Sequence, residues 1–398
     1  MKAAIALALL ALAACAPRPT PAPSPPHLTL VQARFADLPG WRDDATVAAL
    51  PALLRSCDAL AKLDPKTAVG PDAIAGTAAD WRSPCAEAAT TTRASDEDAR
   101  RFFERAFVPW LVADKHDRNG LFTGYFEPEL HGSRRPGGAY ATPLLKRPPD
   151  LVAVDLGLFR PDWRGESTAG RVVNGRLVPY AARADIEHGA LDRYRLAFLW
   201  VDDPIDAFVL SIQGSGRVRL ADGTLVGVGY DGQNGRAYVA IGRLLVARGA
   251  LKLEDASLAA IRAWLVAHPS EAGALMDENP SYVFFRELSG DGPIGAEGVI
   301  LTPGRSLAVD PAFLPLGVPF WLDVAQDGAA LRRLVVAQDT GGAIRGPVRG
   351  DLFFGFGRDA EAQAGRMRAH GAYYMLLPSG VAPTPSTVAA QGSAGRGG

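Results

Sequence analysis

The chain has 398 residues, with 42 Lys and Arg against 43 Asp and Glu, a formal net charge of −1. Apolar residues make up 48% and charged residues 21%, an ordinary globular balance that excludes disorder of the whole chain. The length suits two or three domains, and near-neutrality speaks against a nucleic-acid binder, which carries a basic excess. Six His and three Cys are scattered, with no HExxH, CxxC or P-loop string, so the sequence calls for no metal and no cofactor.

Met1-Lys2 supplies a positive start and Ala3 to Ala14 is apolar without a break. That run is too short to span a bilayer and has the shape of a secretory signal. Leu12-Ala13-Ala14-Cys15 resembles the bacterial lipobox, which makes residues 1–14 a signal peptide and Cys15 the lipidated first residue; an ordinary export signal cut near a cysteine is the other reading. Residues 15–27 then form a lipidated cysteine with a Pro-rich linker, a semi-rigid spacer that holds the body off a membrane. Ala16 is not acidic, which favours the outer membrane, at its periplasmic face. Cys57 and Cys85 remain in the exported body, where an oxidising compartment favours a disulfide over two buried thiols.

Ser95-Asp-Glu-Asp98 reads as a capping box opening a helix whose apolar stripe is Phe102, Phe103, Ala106 and Phe107, fading near Val112. Phe208 to Ile212, Arg217 to Leu220 and Leu225 to Val228 read as short strands, with Asp222-Gly223 as a hairpin turn. Gly235 to Arg248 has a helical period capped by Gly249, and Ser257 to His268 is a further helix stopped by Pro269. Strands follow at Gly298–Leu301, Leu307–Val309, Val318–Val324, Arg333–Ala337 and Leu352–Phe356, so a closed barrel is favoured over a doubly wound sheet. Residues 379–398 read as a disordered tail.

Asp310, Asp339 and Asp351 each stand in a turn beside an apolar strand, and Gly341-Gly342 permits a tight reversal after Asp339. Singly, each could be a turn former bonded to its own backbone. Together, strand ends brought into one neighbourhood would push one carboxyl upward, as a general acid near neutral pH requires.

These three aspartates with their flanks resemble the three-aspartate domain of bacterial wall-cleaving enzymes. Thr123-Gly-Tyr-Phe-Glu-Pro128, Gln213-Gly-Ser-Gly216, Gly229 to Tyr238 and Asn279 to Phe285 are similar to the membrane-bound lytic murein transglycosylase A family. The matching order runs from about Gly120 to Leu377; residues 28–119 carry no matching motif. Ser211 departs from the pattern, standing where an acidic residue is expected.

The resemblance implies a mainly β protein with some helices. A double-psi β-barrel domain (residues 28–130 and 279–378, three-aspartate region 298–378) is interrupted by a smaller β-rich domain (131–278), with a glycan groove between them. It implies a lytic exotransglycosylase acting on peptidoglycan, with Asp351 as catalytic acid and base and Asp339 as the carboxylate that tunes it. Asp310 is structural or supports the other two from behind, and is also counted among the substrate-binding candidates. Thr123, Gly124, Tyr125, Gln213, Gly214, Ser215, Gly216, Asn234 and Tyr238 are the remaining glycan-binding candidates, since sugars need aromatic faces and polar donors. Tyr125 and Tyr238 could equally be interior residues, and Gly214 and Gly216 a bulge or close approach. Implied partners are glycan strands, the membrane through the lipid, and proteins of wall synthesis or division. The alternatives are a hydrolytic muramidase or other glycan hydrolase on a related barrel, and a non-catalytic wall-binding lipoprotein.

Overall fold

In the computed structural model of the protein, residues 26–91, 95–160, 163, 167–290, 292–326 and 328–383 are described. Cys15 and most of the linker and tail lie outside them. Six strands close a barrel, in cyclic order Arg368–Pro378, Pro319–Gln326, Ala329–Asp339, Ser306–Ala308, Arg349–Phe356 and Gly120–Glu127, which returns to Arg368–Pro378. Two pairings are parallel, Ser306–Ala308 on Ala329–Asp339 and Arg349–Phe356 on Gly120–Glu127. Phe107–Asp114 and Leu28–Gln32 continue the sheet outward from Arg368–Pro378.

The strand Pro319–Gln326 is apolar almost throughout because both its faces are covered. One looks into the barrel. The other meets the N-terminal region, where the helices Leu50–Leu60, Arg82–Thr90 and Asp96–Ala106 form a layer over the sheet. Trp41 joins the two, its ring 5.1 Å from Trp321 and 6.5 Å from Phe103. Cys57 and Cys85 are bridged with a Cα separation of 5.5 Å, tying the first two helices together. Ser95 caps the third, its Oγ accepting the Asp98 N–H at 3.2 Å; this helix stops at Ala106 and the chain continues as a strand.

Between the barrel strands at 120–127 and 306–308 lies a six-stranded sheet, in order Val283–Glu287, Leu225–Gln233, Ser215–Leu220, Glu129–Ser133, Ala197–Val201 and Thr142–Leu145. A three-stranded sheet (Val152–Asp155, Ser167–Val173, Arg176–Pro179) stands beside it. The helices Pro204–Gln213, Ile241–Ala247, Leu258–Ala267 and Pro269–Asp277 share a separate apolar cluster. No helix among the described residues is long and apolar enough to cross a membrane.

Local expectations fail in four places. Phe208–Ile212 is helical, within a helix capped by Asp203, started by Pro204 and ended by Gly214 at φ 81°. The helix expected over Gly235–Arg248 is confined to Ile241–Ala247, because Gly235 has φ 72° and the side chains of Asn234 and Asn279 take the N–H groups of Arg236 and Val239. Gly298–Leu301 is a turn, with one bridge between Ile294 and Ile300. Beyond Pro378 the chain stays packed for three residues, Ser379 donating its N–H to Ala106 O at 2.9 Å and Val381 lying against the core.

Candidate active site

Asp339 and Asp351 come together through the short strand Ser306–Ala308. Ala308 is in register with Asp339 on one side and with Asp351 on the other, which sets the two backbones two strand spacings apart, about 10 Å. Asp351 is in turn paired with Thr123. One rung of the barrel therefore carries Asp339, Asp351 and Thr123.

Asp351 is half-buried, and burial pushes its carboxyl up to about 6. Thr123 Oγ1 opposes this by donating to Asp351 Oδ1 at 2.7 Å, and Arg349 lowers it further. Arg349 also donates to Thr123 Oγ1 at 2.8 Å, so the single Thr123 hydrogen is committed to Asp351. The charge of Asp339 is the smallest of the causes acting on Asp351. Burial, more than the second carboxylate, holds the proton on.

Asp339 receives three donors: Tyr125 OH on Oδ2 at 2.8 Å, and the N–H groups of Ala296 and Thr340 on Oδ1, each at 2.9 Å. Burial raises its carboxyl, and these hydrogen bonds pull the other way by favouring the anion. Tyr125 is buried, its ring 5.2 Å from Phe353, and burial beside Asp339 raises its hydroxyl well above the usual range. It holds a carboxylate and presents no open face to a sugar.

The other sequence-selected residues divide sharply. Asp310 is 2% exposed and binds backbone, accepting from Ala312 N–H at 3.1 Å and Gly346 N–H at 2.7 Å; it pins the loop ahead of Arg349 and does not face solvent. Asn234 is fully buried, donating to Ala181 O and Pro280 O and accepting from Tyr282 N–H. It locks three segments together and has no group free for substrate. Gly124 makes room: a Cβ there would lie 2.5 Å from Phe354 and 2.9 Å from the Ala364 backbone. Gln213 accepts the Phe126 N–H at 3.1 Å, joining the helix Pro204–Gln213 to the barrel strand. Gly214 ends that helix, and Gly216 passes close to Pro128. Ser215 is nearly covered, whereas Tyr238 is 41% exposed and available. Ser211 uses its hydroxyl to accept from Arg183 at 3.0 Å.

Sequence reasoning passed over Arg349, although it stands two residues before Asp351, and over Glu127, which lies inside the Thr123–Pro128 motif. Glu127 is buried against Arg217 at 3.4 Å; burial raises its carboxyl and the arginine lowers it. Among the described residues no cluster of His, Cys, Asp and Glu could hold a metal ion.

A carboxyl raised to about 6 on the same rung as a second carboxyl held by three donors suits acid–base chemistry, and fold and pair together fit a barrel enzyme of that class. Comparison with known proteins names the family. Residues 121–286 match the MltA specific insert domain and residues 305–377 match the 3D domain. The membrane-bound lytic murein transglycosylase A of Escherichia coli K12 is 33% identical over 291 residues, 70% of this chain and 72% of that protein. The Vibrio cholerae protein of the same name is 33% identical over 267 residues, 65% of each chain, just under two thirds of its length. Among solved structures, the membrane-bound lytic murein transglycosylase from Agrobacterium tumefaciens superposes with a TM-score of 0.78 at 35% identity, covering 88% of this chain and 98% of that one. E. coli MltA with bound chitohexaose gives 0.65 at 26% identity, covering 89% and 95%. The chain belongs to the membrane-bound lytic murein transglycosylase A family.

Proposed function

We propose that this chain is a peptidoglycan lytic transglycosylase in which Asp351 acts first as acid and then as base. The observation that carries the reading is Asp351 itself: half-buried, raised to about 6, and oriented by Thr123. Protonated Asp351 donates to the oxygen bridging N-acetylmuramic acid and N-acetylglucosamine, and the C1–O bond breaks. The carboxylate so formed takes the proton of the muramic C6 hydroxyl as that oxygen closes onto C1. The product is a 1,6-anhydro end and no water is consumed, in contrast to two-carboxylate hydrolysis. Asp339, held by three donors, stabilises positive charge developing at C1 and adds a small push to the burial that keeps Asp351 protonated.

In this reading the glycan strand lies between barrel and insert, with Tyr238 on the insert side. Cys15 carries the lipid, and the proline-rich segment sets the body at the periplasmic face of the outer membrane, within reach of wall synthesis or division proteins. The deciding experiment is a mass spectrum of isolated wall after digestion. Muramic ends lighter by one water than hydrolysed ends are expected; reducing muramic ends would replace the reading with hydrolysis.

A further inference from the structure

Asp339 depends on a donor that comes from outside its own strand. Ala296, whose N–H meets Asp339 Oδ1 at 2.9 Å, sits in the turn Gly295–Gly298. The turn is stitched on both sides of Ala296: Gly295 N–H donates to Val299 O at 2.9 Å and Glu297 N–H to Gln338 O at 3.1 Å. Gly295 runs so close to the strand that a Cβ there would lie 2.4 Å from the Gln338 carbonyl oxygen.

A side-chain network fixes the same turn from beneath. Ser56 Oγ donates to Glu297 Oε2 at 2.7 Å. Gln338 Nε2 donates to Ser56 Oγ and to Ala52 O, each at 2.9 Å, and Gln338 Oε1 accepts from Ser306 Oγ at 2.6 Å. Ser56, Ser306 and Gln338 are fully buried. Ser56 and Ala52 belong to the helix Leu50–Leu60, which the Cys57–Cys85 bridge ties to its neighbour. The N-terminal layer thus grips Gln338, which precedes Asp339, and Glu297, which follows Ala296. Apolar side chains would fill this space without the cost of burying polar groups. What the polar set adds is a fixed position for the residues on either side.

We propose that Glu297, Ser56 and Gln338 are positioning residues for the acid site, clamping the Gly295–Gly298 turn so that the Ala296 N–H stays on Asp339. The proposal rests on Asp339 being the ionised partner of Asp351. The ionisable groups around Asp339 are Tyr125 and Asp351. Those sharing the cleft of about 500 Å³ beside Glu297 are Arg55, Asp58 and Lys62.

The test compares Glu297→Ala, Ser56→Ala and Glu297→Gln in the disulfide-intact enzyme, with Asp339→Asn as control, measuring kcat and KM on peptidoglycan and kcat/KM against pH. Losing the Ala296 donor raises the Asp339 carboxyl, so in both Ala variants the acid-side limb moves to higher pH. In these variants kcat falls about tenfold or more while KM holds within about twofold. Glu297→Gln keeps an oxygen for Ser56 and restores both. Ser56→Ala, which removes one hydroxyl and leaves Glu297 in place, carries the test should Glu297→Ala not fold. An unmoved acid limb in the Ala variants, or a change in KM alone, overturns the clamp. If Asp339→Asn also leaves that limb in place, the role of Asp339 falls and the clamp with it; if only Asp339→Asn alters the limb, the clamp alone fails.

Discussion

Replacing Thr123 with Val removes one hydroxyl from the acid site at nearly constant volume. The hydroxyl donates to Asp351 Oδ1 at 2.7 Å, and its lone pair is engaged by Arg349 at 2.8 Å. A hydrogen bond to a charged group is worth about 1.5–3 kcal/mol, and 1.36 kcal/mol corresponds to a tenfold change in a proton equilibrium. Asp351 is only half-buried, so solvent takes back part of this. The free enzyme needs Asp351 protonated, so kcat/KM falls as pH rises through about 6. In Thr123→Val the anion loses a donor, and that alkaline fall moves about one pH unit upward. The assay is release of soluble muropeptides at substrate levels well below KM, from mildly acid to mildly alkaline pH. Circular dichroism checks that the variant folds. Arg349 keeps the Leu121 carbonyl as a partner, so it has no need to turn onto Asp351. A limb that stays put or moves downward in the folded variant would refute Thr123 as the group that opposes burial.

Three further outcomes are expected. Asp351→Asn retains glycan binding in a pull-down on isolated wall while turnover falls by more than the ~10²–10⁴ credited to acid–base catalysis; near-wild-type rates would move the acid to Asp339. Reducing the Cys57–Cys85 bridge, whose partners are 28 residues apart, costs on the order of 3 kcal/mol by chain entropy and lowers the melting temperature; two reactive thiols in the denatured, unreduced protein would contradict the bridge. Cys15→Ser moves the protein from the membrane fraction to the soluble periplasm, and unchanged sedimentation with membranes would count against lipidation.

The barrel was legible because its strands carry strong apolar runs and its aspartates sit in a recurring order of motifs. What escaped is of two kinds. Phe208–Ile212 looks like a strand from its Phe, Val and Ile, yet Asp203, Pro204 and Gly214 frame a helix, and those terminal signals prevailed over β propensity. Asn234 and Tyr125 look like sugar ligands from residue type alone, yet burial commits every polar atom of the first to backbone and the hydroxyl of the second to Asp339. Arg349, Gln338 and Glu297 carry no signal by themselves. Their parts come from neighbours as far as 286 residues away in sequence, and only the closed barrel with its N-terminal layer supplies them.

Glu297 also gives a stability test that does not depend on turnover. Burial raises its carboxyl to about 7 from an ordinary 4.5, and Asp351 to about 6 from 3.8. Between the ordinary and the raised values the folded chain keeps protons that the unfolded chain has released. The unfolding free energy therefore falls as pH rises through this window, opposite to the behaviour of a salt-bridged carboxylate. Carboxyls lowered by partners, such as Asp37 and Asp98, exchange protons below the window and leave the slope alone. Gln at 297 mimics the protonated form at every pH. Glu297→Gln should match the wild type in stability near pH 4.5 and gain on it until about pH 7, by at most about 3 kcal/mol and about half that after screening of a partly exposed group. At roughly 2 °C per kcal/mol for a chain of this size, the gain is about 3 °C in Tm. Thermal unfolding of both proteins across this range reads it directly. Parallel Tm curves would show that Glu297 ionises in the folded chain as it does in the unfolded one, and would remove burial as the force acting on it.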